Sequence, residues 1–472
     1  MSNFNKKVTQ STTNVQGVET TNENKRYDMC YVDFDTVLFR CAKFMQEDYI
    51  EVTHLPSGNV KEFKNKTAFG IRGDKIIEVD VDKDLREDKD GNPVKWLGWL
   101  NHQRSLKGQP LFTIDDFKVE SKERLSSQYS TYEEALQNSL NTIDYNIGTI
   151  KRFMDAKDYM LCIGAGEGNY RDSECKDVIY KGNRDGKPLY FTEFREALLA
   201  KYGRKIKQSV FCEAEDLLQH YASLEESRVG TDLNKWKICI TYIDKDVDMT
   251  YAPSFNYDNL DKGWRLPTKL ECEGCLAAQV ISGDPTDNIT GLPALTDKIR
   301  EVFNLSKRMS ATKSTAEKLL EGSTSVQELW KRVVFCYQQY YGIDIVHKFK
   351  DVHGENQEWT WVDFMQQTYI LVKMQDHKDK FSCVRRYLGD IGVSLDEVSF
   401  DVEVIIDQTN LIENLDKLKG VCETLLPDLK GYKTKKKGEL IEIINIIVEK
   451  HDNMLEQFEN FYEMRSETKV VK

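Results

Sequence analysis

The stretch Lys237-Ile238-Cys239-Ile240-Thr241-Tyr242-Ile243-Asp244-Lys245-Asp246 decides how the chain reads: an apolar and β-branched run that stops at two acids. A short, nearly continuous apolar run is the pattern of a strand buried on both faces. Three more runs read alike. Met29–Val32 precedes Asp33, Tyr159–Ile163 lies ahead of Glu167, and Ser209–Phe211 precedes Glu213. Helical spacing predicts helices between them, over Thr36–Met45, 131–157, 190–203 and 213–223. Strand alternating with helix predicts an α/β fold with a parallel sheet. In such a sheet ligands bind outside the carboxyl ends of the strands. Acids at those ends would converge, and converging carboxylates need a compensating cation. A fifth acidic group, Gly283-Asp284-Pro285-Thr286-Asp287-Asn288, follows downstream. The order points to an acid-lined divalent-metal site.

Each cluster also has a plainer reading. Asp33 and Asp35 could cap the helix that follows. Glu213, Glu215 and Asp216 would suit a first helical turn through the helix dipole. The Gly283–Asn288 group is rich in turn formers. Together they supply what phosphoryl chemistry with Mg²⁺ needs, namely several carboxylates from separate loops.

Composition sets the frame. The chain has 472 residues, 40% hydrophobic and 31% charged, which allows two to four domains with real cores. No apolar run reaches a membrane span, and the N-terminus lacks a signal-peptide core, so the cytoplasm is the expected location. The net charge of −12 argues against a protein whose whole surface grips nucleic acid, while leaving room for local basic patches. Eleven cysteines show no disulfide framework, and Cys272 and Cys275 form a lone pair without the second pair of a zinc site. No twelve-residue calcium loop is present. Residues 1–26, polar and poor in large apolar groups, read as a disordered tail. Residues 47–130 break the α/β pattern: Tyr49–Thr53 and Asn59–Phe63 read as a hairpin within an insertion. From about 266 onward the chain reads as mostly helical, with helices at Pro267–Ile281, Asp297–Phe303, Thr315–Leu320, Val326–Tyr341 and 362–374.

The motifs Val32-Asp33-Phe34-Asp35, Glu213-Ala214-Glu215-Asp216, Asp244-Lys245-Asp246 and Gly283–Asn288, with Gly291-Leu292-Pro293-Ala294-Leu295 after them, resemble those of the flap endonuclease and 5′→3′ exonuclease superfamily, phage-type enzymes above all. Arg171 followed by Tyr180-Lys181-Gly182-Asn183-Arg184 resembles the family's basic segment over the active site. The match covers roughly residues 28–45 and 135–300. It implies a PIN-like nuclease core over 27–265, interrupted by the insertion. A helical helix–three-turn–helix DNA-binding region over 266–380 and a C-terminal extension over 381–472 would follow.

The resemblance further implies two Mg²⁺ or Mn²⁺ ions held by Asp33, Glu213, Glu215, Asp216, Asp244, Asp246, Asp284 and Asp287. Lys181 and Arg184 would meet the scissile phosphate. Arg171, Tyr180, Lys181, Arg184, Gly291, Leu295 and Lys298 would contact DNA. Relatives carry an Asp just after the second of the strands, where this chain has Gly164-Ala165-Gly166-Glu167-Gly168; either Glu167 replaces it as a metal ligand from a shifted position, or the site has one ligand fewer. A K⁺ site near residues 291–298 is implied too, although Leu295-Thr296-Asp297 departs from the usual glycine-containing turn. The activity implied is 5′→3′ exonuclease or flap endonuclease action on duplex DNA with a 5′ end, flap or nick, in phage DNA replication, recombination or host DNA degradation, extending to RNA of RNA–DNA hybrids. A PIN-type ribonuclease and a catalytically weakened DNA-structure-binding protein are the alternatives. Residues Leu418–Val448 resemble a small SAP-type nucleic-acid-binding module, with a solvated lysine turn as the plainer reading.

Overall fold

A computed structural model describes residues 25–400 except 167, 185, 308, 377–382 and 397. Most of the expected tail, the Leu418–Val448 module and Glu167 lie outside the described residues.

Strand β1, Tyr27–Asp33, opens the core, with Tyr27, Cys30 and Val32 fully buried. Helix α1, Asp35–Phe44, follows at once and buries Val37, Leu38, Cys41 and Ala42, one face at helical spacing. The insertion then leaves the core. It contains β2 (Gln46–His54), β3 (Asn59–Phe63), α2 (Trp96–Leu106) and β4 (Phe117–Leu125). Its strands form an antiparallel sheet in the order β3-β2-β4 over a separate core of Ile50, Val52, Phe63, Phe69, Ile71, Leu97 and Phe117. The expected hairpin is present, and β4 is a third strand the sequence pattern did not reveal.

The core resumes with α3 (Tyr132–Phe153), β5 (Ala156–Ile163), the short α4 (Tyr170–Glu174), α5 (Phe191–Tyr202), β6 (Ile206–Gln208), α6 (Ala214–Val229), β7 (Ile238–Tyr242), β8 (Ser254–Asn256) and β9 (Trp264–Arg265). Six strands form one sheet in the order β9-β8-β7-β1-β5-β6. All neighbours run parallel except β8 and β9. The α/β expectation therefore holds in its coarse form. With β1 between β5 and β7, Asp33 lies beside Cys162, and Val32 beside Thr241.

One strand is displaced from its expected place. The run Ser209–Phe211 is not a strand; the paired segment is Ile206–Gln208, three residues earlier. Pairing stops where β5 stops, at Ile163 opposite Gln208. Ser209 then donates its N–H to the Ile163 carbonyl and its hydroxyl to the Cys212 carbonyl, which turns the chain off the sheet. Phe211 sits at φ 56°, in the left-handed region.

The remaining described elements are mainly helical: α7 (Lys269–Ser282), α8 (Asp297–Val302), α9 (Lys313–Leu320), α10 (Val326–Tyr341), α11 (Trp361–Val372) and α12 (Val384–Asp390). A reciprocal cap starts α7: the Thr268 hydroxyl accepts from the Glu271 N–H at 3.2 Å, and Glu271 accepts from the Thr268 N–H at 2.6 Å. Two hairpins interrupt the helices, β10 (Gly283–Asp284) with β11 (Ile289–Thr290), and β12 (His347–Lys350) with β13 (Asn356–Trp359). No described helix is long and apolar enough to cross a membrane. The cysteines among the described residues are free thiols, Cys272 and Cys275 included.

Candidate active site

The carboxyl ends of the central strands carry the acids. Asp33 closes β1 and is fully buried. Its Oδ1 accepts the Asp35 N–H at 3.3 Å, while its Oδ2 is buried with no hydrogen-bond partner. Glu213 caps α6, and Glu215 and Asp216 lie in its first turn. Asp244 follows β7 and accepts the Asp246 N–H at 3.1 Å. Asp284 closes β10, and Asp287 lies in the turn to β11. Gln279, near the end of α7, bridges the last two groups by donating to Asp246 at 3.0 Å and to Asp284 at 3.2 Å.

These acids feel one another. Burial pushes the Asp33 carboxyl far above its ordinary range, and the neighbouring charges of Asp35 and Asp244 push it further. Burial raises Glu215 strongly, reinforced by Asp33, Glu213 and Asp35. Asp35 is pushed up to about 6 by burial and by Glu213, against the pull of the Gly164 N–H. Asp246 is pushed up to about 7 by burial, then by Asp244 and Asp284. Burial also raises Asp287, with Lys181 and Arg184 pulling back and Glu213 and Asp284 pushing. Glu213 goes the other way: burial would raise it, but the Arg171 and Lys181 cations outweigh burial and hold it low. Asp244 thus links the group at β1 and α6 to the group at β10.

Cations already lean on this centre. The Tyr180–Arg184 turn is fastened to the β10–β11 hairpin, far along the chain. The Lys181 N–H donates to the Asp287 carbonyl at 2.8 Å, Asn183 donates to the Pro285 carbonyl at 2.7 Å, and Asn288 donates to the Ile179 carbonyl at 2.9 Å. The Lys181 ammonium pairs with Glu213 and lies 3.5 Å from Asp287; the Arg184 guanidinium pairs with Asp287. The Tyr180 hydroxyl lies 3.1 Å from both Glu213 and Asp287.

Several residues fall elsewhere than the sequence led us to expect. Asp216, expected as a metal ligand, accepts from both Arg171 amino groups at 2.7 and 3.0 Å, from the Gln375 N–H at 2.8 Å and from the Glu213 N–H at 2.9 Å. A carboxylate offers about four lone-pair sites, so none remains for a cation. Arg171, expected to touch DNA, is 1% exposed and also donates to the carbonyls of Leu371 and Lys373. The pair anchors the start of α6, with the Arg171 guanidinium 3.8 Å from Glu213, and backbone carbonyls from the end of α11 and just beyond complete its surroundings. Leu295, another expected DNA contact, is 3% exposed and packs into the interior. Gly291, which follows β11, and Tyr180, whose hydroxyl is on the acids, are expected DNA contacts that are buried as well, whereas Lys298 is exposed on α8. Sequence reasoning gave no role to Gln279 or Arg195. Their signal is spatial, since each bonds to a group on another element.

The donor set is all oxygen, which suits a hard divalent cation such as Mg²⁺ or Mn²⁺. A buried carboxylate oxygen without a partner is costly unless a cation shares it, and Asp33 Oδ2 is such an atom. Among the described residues no three His, Cys, Asp or Glu side chains stand close enough to chelate one ion as they are. Lys181, Arg184 and Arg171 supply the counter-charge.

No family model matches the chain, and no curated protein matches it in sequence. Among solved structures, the T5 D15 protein co-crystallized with metal ions overlaps with a TM-score of 0.26 at 16% identity, covering 44% of this chain and 85% of that one. A pseudo-enzyme–product complex of the bacteriophage T5 D15 flap endonuclease with DNA and metal ions overlaps with a TM-score of 0.24 at 16% identity, covering 44% and 83%. Overlaps this loose carry no conclusion about the fold or chemistry of this chain.

Proposed function

We propose that the chain is a divalent-metal-dependent nuclease that hydrolyses DNA phosphodiesters from or near a 5′ end, with a PIN-like core followed by a helical DNA-binding region. The observation that carries this reading is the buried, partnerless Oδ2 of Asp33 among carboxylates delivered by separate segments, with a basic turn fastened beside them. The motif order that resembles the flap endonuclease superfamily supports it independently.

The residues that would hold metal are Asp33, Glu213, Glu215, Asp244, Asp246, Asp284 and Asp287. Bound divalent ions supply Lewis-acid activation of the attacking water and of the leaving oxygen. Lys181 and Arg184 would place positive charge on the non-bridging phosphate oxygens as negative charge builds there. Tyr180 would keep Glu213 and Asp287 at a fixed separation through its hydroxyl. Arg171 and Asp216 would hold the start of α6 so that Glu213 and Glu215 face the centre. Water adds to phosphorus, the P–O3′ bond breaks, and the products carry a 5′-phosphate and a 3′-hydroxyl.

The test is one digestion series on 5′-labelled, 3′-labelled and circular DNA, with Mg²⁺ and with chelator. We expect Mg²⁺-dependent release from the 5′-labelled end, and none from an Asp244→Ala/Asp246→Ala variant that keeps its far-UV spectrum. Equal degradation in chelator, or by that variant, overturns the assignment. A second reading, a DNA-structure-binding protein with weakened catalysis, is favoured by Gly164 and Ala165 standing where relatives carry an acid. It predicts unchanged binding of flapped duplexes with no turnover in any metal.

A further inference from the structure

We infer that Asp35 and Gly164 are a matched pair, in which the end of β5 gives up its own side chain so that Asp35 can seat a carboxylate there as a positioning residue for the bound cation. This rests on the metal-site reading above and adds a residue to it.

Asp35 begins α1, two residues past the end of β1. Its carboxylate reaches across to the neighbouring strand, where the Gly164 N–H points at both oxygens, at 3.0 and 2.9 Å. A single N–H centred on a carboxylate fixes the direction of the whole group. The Gly164 carbonyl is itself held, accepting from Arg195 at 2.9 Å. The peptide that grips Asp35 is pinned from its other side as well, because its own carbonyl, that of Ile163, accepts the Ser209 N–H at 2.9 Å.

Gly164 explains itself only through Asp35. Its φ lies outside the left-handed region, so the backbone does not demand glycine. A Cβ placed there would stand 2.6 Å from Asp35 Oδ2, and the other atoms nearby are Asp35 Cγ at 3.6 Å and the Ala214 N–H nitrogen at 3.9 Å. The space a side chain would take at this strand end is occupied by one carboxylate from the start of α1. That carboxylate adjoins Asp33, whose Oδ1 accepts the Asp35 N–H while its Oδ2 is buried and unpartnered. Asp33 and Asp35 therefore present two carboxylates side by side, one orphaned and one aimed by Gly164. A cation shared between them removes the cost of the orphan.

The test is a double-mutant cycle read by Mn²⁺ binding without DNA, by titration calorimetry, on the full chain. Asp35→Ala should weaken Mn²⁺ about tenfold or more. Gly164→Ala should weaken it similarly, because the new methyl group displaces the carboxylate. The double variant should lose no more than either single one, since the two changes remove the same thing. Thermal unfolding accompanies each protein. If Gly164→Ala fails to fold, the double variant should fold, its clash being gone, and Asp35→Asn should fold and still bind Mn²⁺ weakly. Wild-type Mn²⁺ affinity in Gly164→Ala or Asp35→Ala overturns the pairing. So do multiplicative losses in the double variant, or a double variant that does not fold. Asp33→Ala separates the levels. If it abolishes Mn²⁺ binding while the Asp35 and Gly164 variants bind normally, only the pairing fails. If it too binds normally, the metal-site reading fails.

Discussion

Lys181 keeps a full side chain at φ 53°, a left-handed backbone that costs on the order of 1 kcal/mol or more away from glycine. Two contacts hold it there: its N–H on the Asp287 carbonyl and its ammonium on Glu213. A residue strained into place to aim a cation is expected to matter in the transition state more than in binding. Lys181→Ala should therefore lower kcat about a hundredfold while changing KM little, measured on a 5′-labelled duplex. A change in KM alone removes its charge-neutralising role. The acids make a second expectation at this scale. Asp35 and Asp246 are pushed up to about 6 and about 7, so the folded, metal-free chain keeps protons that the unfolded chain has released. The resulting stability is present below the ordinary carboxylate pKa and is lost as pH rises through 6 and 7. In chelator, the thermal midpoint should fall from pH 5.5 to 8, and Mg²⁺ should flatten that slope. A midpoint that rises with pH in chelator contradicts the mutual crowding of these acids. Most of the acids were legible in the sequence because they follow short apolar runs, and Asp284 and Asp287 because they sit in a dense turn motif. The saturation of Asp216 was not, because the Arg171 guanidinium and the Gln375 backbone N–H are distant in sequence and only packing brings them to it.

The element that organises the second half of the site is the β10–β11 hairpin. Gly283 and Gly291 stand where its two strands and the end of α7 come together. A Cβ on Gly291 would lie 2.3 Å from the Gly283 nitrogen and 2.4 Å from the Ile281 carbonyl oxygen, both rigid backbone. Gly291→Ala should cost about 2 kcal/mol or more in urea unfolding. It should lower activity by more than the lost stability accounts for, because Asp284 and Asp287 ride on the hairpin. Unchanged stability would show that the strands part more easily than their spacing implies. At this scale the sequence spoke unevenly. Helix α10 was legible to its ends, because Val326–Tyr341 presents an unbroken apolar face after a Ser325 cap. Strand β6 was misplaced because Ile206-Lys207-Gln208 is short, polar and at the sheet edge, whereas the apolar Val210 and Phe211 beside it are exposed. Strand β4 escaped notice because its partner β2 lies more than sixty residues earlier and its face is largely charged.

At the scale of the molecule, the insertion leaves and rejoins the core at one point. Gln46 lies opposite Leu125 and Asp48 opposite Glu123, with a separate apolar core beyond them. Replacing residues 49–122 with a two-residue Asn-Gly turn, which suits the strand twist, should leave a cooperatively folding core that binds Mn²⁺ as the full chain does. Circular dichroism and calorimetry check this, and a shortened chain that stays unfolded would make the insertion part of the core. The sequence placed the break in pattern near residue 47 for a physical reason: alternating half-buried strands replace runs buried on both faces. The fastening of the Tyr180–Arg184 turn to the hairpin has one more consequence. The ammonium of Lys181 and the guanidinium of Arg184 occupy carboxylates that an ion would also seek, so under the proposed function a metal would have to evict them, and an evicted cation would be set free for a phosphate. Linkage then requires reciprocity: nucleic acid should tighten the grip on metal by the same factor by which metal tightens the grip on nucleic acid.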